Sequence, residues 1–179
     1  NNAGFGTTGY FVDIDASRHS DMIHVHVLAP AMLTHAVLPG MIERDRGAII
    51  NVSSLAAWCY SAGSVQYSST KSYLAVFSQA LAQELRGTKV RVQALCPGFV
   101  RTDFHAAESM QGFDMQQVPA SQWMTAEKVV DCSLRRLFRN RVIVIPGFKN
   151  RVLGRLMQMP MFQPIVQRLT AVRKRVAKR

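Results

Sequence analysis

The sequence has little of several things, and each shortage removes a class of function. Its three cysteines, Cys59, Cys96 and Cys132, lie far apart without a CxxC pair, so neither a disulfide framework nor a thiolate zinc site is indicated. A reducing, cytoplasmic compartment is expected. The five histidines lack metal-ligand spacing, since His24 and His26 stand two apart in a predicted helix and point to different sides. No metal is expected. No uninterrupted apolar run reaches the roughly 18 residues of a membrane span, and Asn1-Asn2-Ala3-Gly4 has neither the basic nor the apolar region of a signal peptide. A spanning helix is therefore not expected. Acidic residues are missing from the last quarter: residues 1–131 carry nine Lys and Arg against eleven Asp and Glu, whereas 132–179 carry thirteen basic residues and no acidic one. The net charge of +11 belongs to the C-terminal segment. That segment has no interleaved aromatics and the rest is mildly acidic, so nucleic acid is not the expected partner.

What is present is a foldable chain, 48% hydrophobic over 179 residues, enough to bury a core. Met22, Val25, Leu28, Met32, Val37 and Met41 recur at near-helical spacing from Ser17, a candidate N-cap, to about Arg44. Pro30 is expected to kink that helix. Gly47 to Ser54 reads as a buried strand, Val65 to Arg86 as a helix, and Val90 to Leu95 as a second strand stopped by Pro97-Gly98. Thr125 caps a helix predicted to reach about Phe138, and Val142 to Ile145 is a third strand before Pro146-Gly147. This alternation builds an α/β fold with a parallel sheet.

Tyr67-Ser68-Ser69-Thr70-Lys71 places a phenol and an ammonium four residues apart, on one helix face. A charge within about 4 Å at an effective dielectric of about 20 is worth about 4 kcal/mol, roughly three pK units. Tyr67 is thereby expected near neutrality, as a general acid or base. Ser54 leaves a strand at its carboxyl end, where ligands of open parallel sheets bind, and its hydroxyl could orient a carbonyl. Pro97-Gly98-Phe99-Val100-Arg101-Thr102 leaves the next strand at the same end, with Gly98 permitting close backbone approach.

Together, Asn1-Asn2-Ala3-Gly4, Asn51-Val52-Ser53-Ser54, Tyr67-Ser68-Ser69-Thr70-Lys71 and Pro97-Gly98-Phe99-Val100-Arg101-Thr102 resemble, in order and spacing, the short-chain dehydrogenase/reductase family. The resemblance covers residues 1 to about 147. It implies the C-terminal portion of a Rossmann-type doubly wound parallel sheet, NAD or NADP as hydride carrier, and interconversion of a carbonyl and a secondary alcohol. By resemblance Tyr67 is the acid/base, Lys71 holds the nicotinamide ribose and Ser54 orients the substrate. Asn1, Ala3, Pro97, Gly98, Val100 and Thr102 fall where the family meets its cofactor. The family usually places an Asn where Val25-His26-Val27 puts His26, so His26 stands either in an altered proton relay or as a satisfied core residue. The family's TGxxxGxG loop is not in these 179 residues. The expectation is a fragment of a reductase preceded by about 80–90 residues of the usual fold, weak or inactive by itself.

Phe104, Met110, Phe113, Met115, Val118, Trp123 and Met124 make the stretch after the Pro-Gly segment apolar and Met-rich. It suits a hydrophobic, lipid-like substrate, or it packs onto the domain. Residues 1–147 are read as the partial catalytic domain and 148–179 as a basic amphipathic segment. In the latter, Ile165, Leu169, Val172 and Val176 form a stripe among Arg168, Arg173, Lys174, Arg175, Lys178 and Arg179. Residues 151–179 thus suit an anionic membrane surface, with a solvated tail as the plainer reading. A homo-oligomer through the two long helices follows from the resemblance. The reading from another class is a catalytically silent protein that uses this fold to bind lipid or a protein partner.

Overall fold

The computed structural model describes residues 1–105, 107, 110, 113–159, 161 and 164. The predicted helix at 165–176 lies outside the described residues.

The sheet is built where the β-branched runs stand. Strand β1 (Gly47–Val52) and strand β2 (Val90–Leu95) pair in parallel from Gly47 opposite Val90 to Val52 opposite Leu95. On the other edge of β2 runs β5 (Ile143–Val144), also parallel, giving the order β1-β2-β5. Strand β5 is shorter than the predicted run. Ala94 and Cys96 donate to the carbonyls of Val142 and Val144, after which Pro146 ends the ladder. A separate parallel pair, β3 (Val100–Arg101) with β4 (Met124–Thr125), ties the segment after β2 to the start of the next helix.

Helices cover both faces of the sheet. Residues facing one way along β1 and β2 (Ile49, Val90, Val92) pack with Leu81 of α3 (Val65–Glu84), with Leu85 that caps it, and with Leu38 and Met41 of α2 (Ala29–Glu43). Leu95 faces the other way and meets Val144 of β5 and Val129 of α4 (Ala126–Leu137). Thr125 caps α4 as predicted, its hydroxyl accepting from the Lys128 N–H. This is the doubly wound α/β arrangement expected of the alternating elements.

Helix α1 (Ala16–Ile23) begins two residues earlier than a Ser17 cap predicts, because the Asp15 carboxylate caps it by accepting from the Ser17 N–H at 2.8 Å. Ser17 is therefore not the cap. Nor does Pro30 break the helix. A single π-helical turn, His24–Leu28, joins α1 to α2, with the Ala29 N–H bonding back to the His24 carbonyl, and Pro30 directly follows Ala29, where the change of register accommodates the N–H that proline lacks. Met22, His26, Pro30 and Thr34 line the buried side at steps of four.

Two further expectations change. The continuous run Ala16–Glu43 is 28 residues long and holds an 18-residue window of mean hydropathy 1.5, so among the described residues one helix is, by length and composition, long and apolar enough to cross a membrane. An average over a helix with apolar residues on its outer face reaches that level without any unbroken apolar run. The second concerns residues after 147. Helix α5 (Phe148–Gln158) buries Gly154 and Met157, with Met157 beside Leu55, Ala94, Cys96 and Ile145. The first turns of the expected tail therefore belong to the core packing.

Candidate active site

Strand β1 delivers Ser53 and Ser54 beyond its carboxyl end, and the first two turns of α3 deliver Tyr67, Thr70 and Lys71 opposite them. Lys71 is buried and its ammonium donates to the Val52 carbonyl at 2.8 Å. It lies 5.6 Å from the centroid of the Tyr67 ring. Burial lowers the Lys71 pKa to about 8, with the Cys96 thiol acting the other way. Ser54 Oγ accepts from the Ala56 N–H at 3.1 Å and bonds the Tyr67 side chain, a contact that favours the phenolate. Ser54, Tyr67 and Lys71 are thus brought together.

Tyr67 is half-buried by its accessible surface, yet protein surrounds the phenol so densely that burial pushes its pKa up to about 12. This corrects the expectation of a tyrosine near neutrality. Proximity alone overstates the effect of Lys71, whose charge is directed at a backbone carbonyl, while desolvation of the phenolate acts at full strength.

His26 is 1% exposed, and both ring nitrogens are engaged. Nε2 accepts from the Phe5 N–H at 3.0 Å, which leaves Nδ1 to carry the proton toward Thr70 Oγ1 at 2.9 Å. Thr70 in turn donates to the Tyr67 carbonyl at 3.0 Å. Burial, and then the Lys71 charge, hold the imidazole neutral, with a pKa of about 3. A Cβ on Gly4 would stand 2.7 Å from His26 Nε2, so only glycine lets the N-terminal segment lie this close.

Asn1 runs along the free edge of β1. Its N–H bonds Ile50 O, and its carbonyl accepts from the Val52 N–H, both at 2.9 Å. Its side chain donates to Asn51 Oδ1 at 2.7 Å. Ala3 is exposed next to Gly4. Pro97 accepts from the Leu55 N–H at 2.8 Å. At Gly98 the close approach comes from the chain itself, since a Cβ there would stand 2.8 Å from Asn150 Nδ2. Val100 packs beside Leu95 and Val144. Thr102 is exposed, its hydroxyl accepting from Phe104 N–H at 3.4 Å. The Phe104 ring lies 5.9 Å from that of Tyr67, and Phe104 and Met110 sit against Gly6. Farther along, Phe99, His105, Phe113 and Trp123 stack into one cluster.

Several supporting residues are not evident from the motifs. Asn51 is fully buried and donates to Ser78 Oγ of α3 at 2.9 Å. Ser53 donates to the Lys71 carbonyl at 2.7 Å. The Cys96 thiol is buried near Lys71 and pushed up to about 12. The available signal is the spacing of Ser68, Lys71, Ala75 and Ser78, which puts polar groups on the buried side of α3.

Comparison with known proteins agrees with this geometry. Residues 1–111 match the family described as short chain dehydrogenase. The chain is 43% identical over 91 residues to a very-long-chain 3-oxoacyl-CoA reductase of Laccaria bicolor, covering 51% of this chain and 27% of that one. It is 31% identical over 136 residues to a 3-oxoacyl-[acyl-carrier-protein] reductase of Aquifex aeolicus, covering 75% and 55%. Among solved structures, a short-chain dehydrogenase of Sphingobium yanoikuyae in complex with NADPH superposes with a TM-score of 0.74 at 26% identity, covering 88% of this chain and 63% of that one. The chain thus spans between about a quarter and about half of these curated relatives. With the serine, tyrosine and lysine assembled on a parallel sheet of matching shape, the chain belongs to the short-chain dehydrogenase family.

Proposed function

We propose that this chain carries the catalytic portion of an NAD(P)-dependent oxidoreductase that interconverts a carbonyl and a secondary alcohol. The observation that carries the reading is the convergence of Ser54, Tyr67 and Lys71 at the carboxyl end of β1. A phenol with a pKa of about 12 is protonated at neutral pH, which suits the reductive direction: Tyr67 gives its proton to the oxygen of the carbonyl being reduced, while Ser54 orients that oxygen. NAD or NADP supplies the hydride when bound. The residues present fit its nicotinamide half. Lys71 uses one of three donors on Val52 O, leaving two for ribose hydroxyls, and Asn1, Ala3, Pro97, Gly98, Val100 and Thr102 are the proposed neighbours. No TGxxxGxG segment for the pyrophosphate occurs in the 179 residues. His26, with both nitrogens engaged, is proposed as a positioning residue that braces Thr70 and the first turns of α3.

The deciding experiment is carbonyl reduction by the full chain and by its Tyr67→Phe variant. Turnover is expected to fall about 10²–10⁴-fold with cofactor affinity retained; unchanged turnover in the variant would remove Tyr67 as the acid, and no turnover in the wild type would favour a catalytically silent binding protein. For the substrate we propose a hydrophobic, lipid-like carbonyl. Phe104 and Met110 close over Gly6, and Phe104 faces Tyr67. A preference for small polar carbonyls in a substrate panel would remove that assignment.

Ile23, Leu28, Met32, Leu33 and Val37 are exposed on α1, the π turn and α2, a face suited to a homo-oligomer. For residues 151–179 we propose contact with an anionic membrane surface, and for the protein a cytoplasmic site of action with peripheral attachment.

A further inference from the structure

On the side turned away from the core, helix α5 carries large apolar side chains with Arg155 among them. Gly154 and Met157 face inward, while Phe148 is 73% exposed and Val152 and Met159 are exposed beside it. On its flank, Arg151 lies with its guanidinium 5.9 Å from the Phe148 ring. Arg151 also lines an open cavity of about 260 Å³ with Cys132, Arg135, Arg136 and Arg139 of the α4 end. Arg135 pairs with Asp131. Arg136, Arg139 and Arg151 form no ion pair among the described residues, and the sequence from 132 to 159 contains seven basic residues and no acidic one. An arginine-lined cavity bordering an exposed apolar helix face therefore awaits a partner that is anionic and apolar at once.

We infer that the α4–α5 face docks on an anionic bilayer, with lipid phosphate in the arginine cavity and Phe148, Val152 and Met159 at the acyl boundary. The inference rests on the membrane contact proposed for residues 151–179 and supplies its headgroup seat. Guanidinium forks match phosphate oxygens, and an amphipathic helix lies in the interface plane with its apolar side inward. A second copy of the chain is a poor occupant of the same face, because a symmetric contact would bring two sets of unpaired arginines together.

The test is co-sedimentation of the full chain at low salt with vesicles of phosphatidylglycerol and phosphatidylcholine, and with phosphatidylcholine alone. Binding is expected only where phosphatidylglycerol is present. Arg136→Gln with Arg139→Gln is expected to weaken it about 10–30-fold, and Phe148→Ser to weaken it independently, each with an unchanged melting midpoint. If the wild type fails to bind, both the membrane contact and this inference fall. If the wild type binds and these variants bind as well as it does, the headgroup seat is wrong and the contact through 151–179 stands. Release from the vesicles by millimolar inorganic phosphate at constant ionic strength would also overturn the inference, marking the cavity as a site for a free anion.

Discussion

His26 holds two partners through its two nitrogens, and protonation of Nε2 would turn the Phe5 N–H from donor into repulsive neighbour. Its pKa in the folded chain, about 3, lies below the 6.5 of a free imidazole. Between these values the unfolded chain binds a proton that the folded chain refuses, so stability falls as pH falls from about 6.5 toward 3. One such group gives a slope approaching about 1.4 kcal/mol per pH unit. Urea midpoints across that range are expected to show the slope in the wild type and a flatter profile in His26→Asn. At this scale the residue types of the site were legible, since the Tyr67–Lys71 spacing and Ser54 at a strand end needed only periodicity. Protonation was not legible, because it depends on how much water the packed neighbours remove, and that follows from Phe104, His26 and Ser54 closing around the phenol.

Strand β2 shows what a buried polar pair does for an element. Gln93 is fully buried; its amide nitrogen donates to the Ser133 carbonyl at 3.1 Å and its oxygen accepts from the Ser133 hydroxyl. Ser133→Ala leaves that oxygen unpaired and is expected to cost about 1–3 kcal/mol, read as a lower urea midpoint with an unchanged slope. The same pair fixes α4 over β2. Strand β2 was readable to the residue and β1 to within the two serines at its end, because β-branched runs bounded by turn residues leave little choice. The α1 start was less so, since Asp15 and Ser17 are both good caps and only the observed Asp15 to Ser17 bond decides between them. The π turn at His24–Leu28 had no sequence signal beyond Pro30 itself, because several local adjustments can accommodate a proline.

For the whole molecule, the order of helices and strands was enough to foretell a parallel sheet covered on both faces. Composition was less telling at residue 148, where a basic amphipathic segment was expected and its first turns pack on the core. A core helix may carry arginines on its rim as long as one side stays small and apolar, and Gly154 provides that side by admitting Ile145 and Leu55. The Gly98 contact couples this helix to the site. Gly98→Ala would place a methyl 2.8 Å from Asn150 Nδ2, and a lowered melting temperature is expected, corresponding to about 1–3 kcal/mol of strain. Phe148 stands on the outside of α5 and Asn150, two residues on, rests against the wall of the site. The first turn of α5 thus lies between an exposed surface and the backbone that follows β2. If the α5 face docks on a bilayer as inferred, KM for an apolar carbonyl is expected to change when phosphatidylglycerol vesicles are added, and to change less in Asn150→Ala; an unchanged KM would show the two surfaces of α5 to be independent.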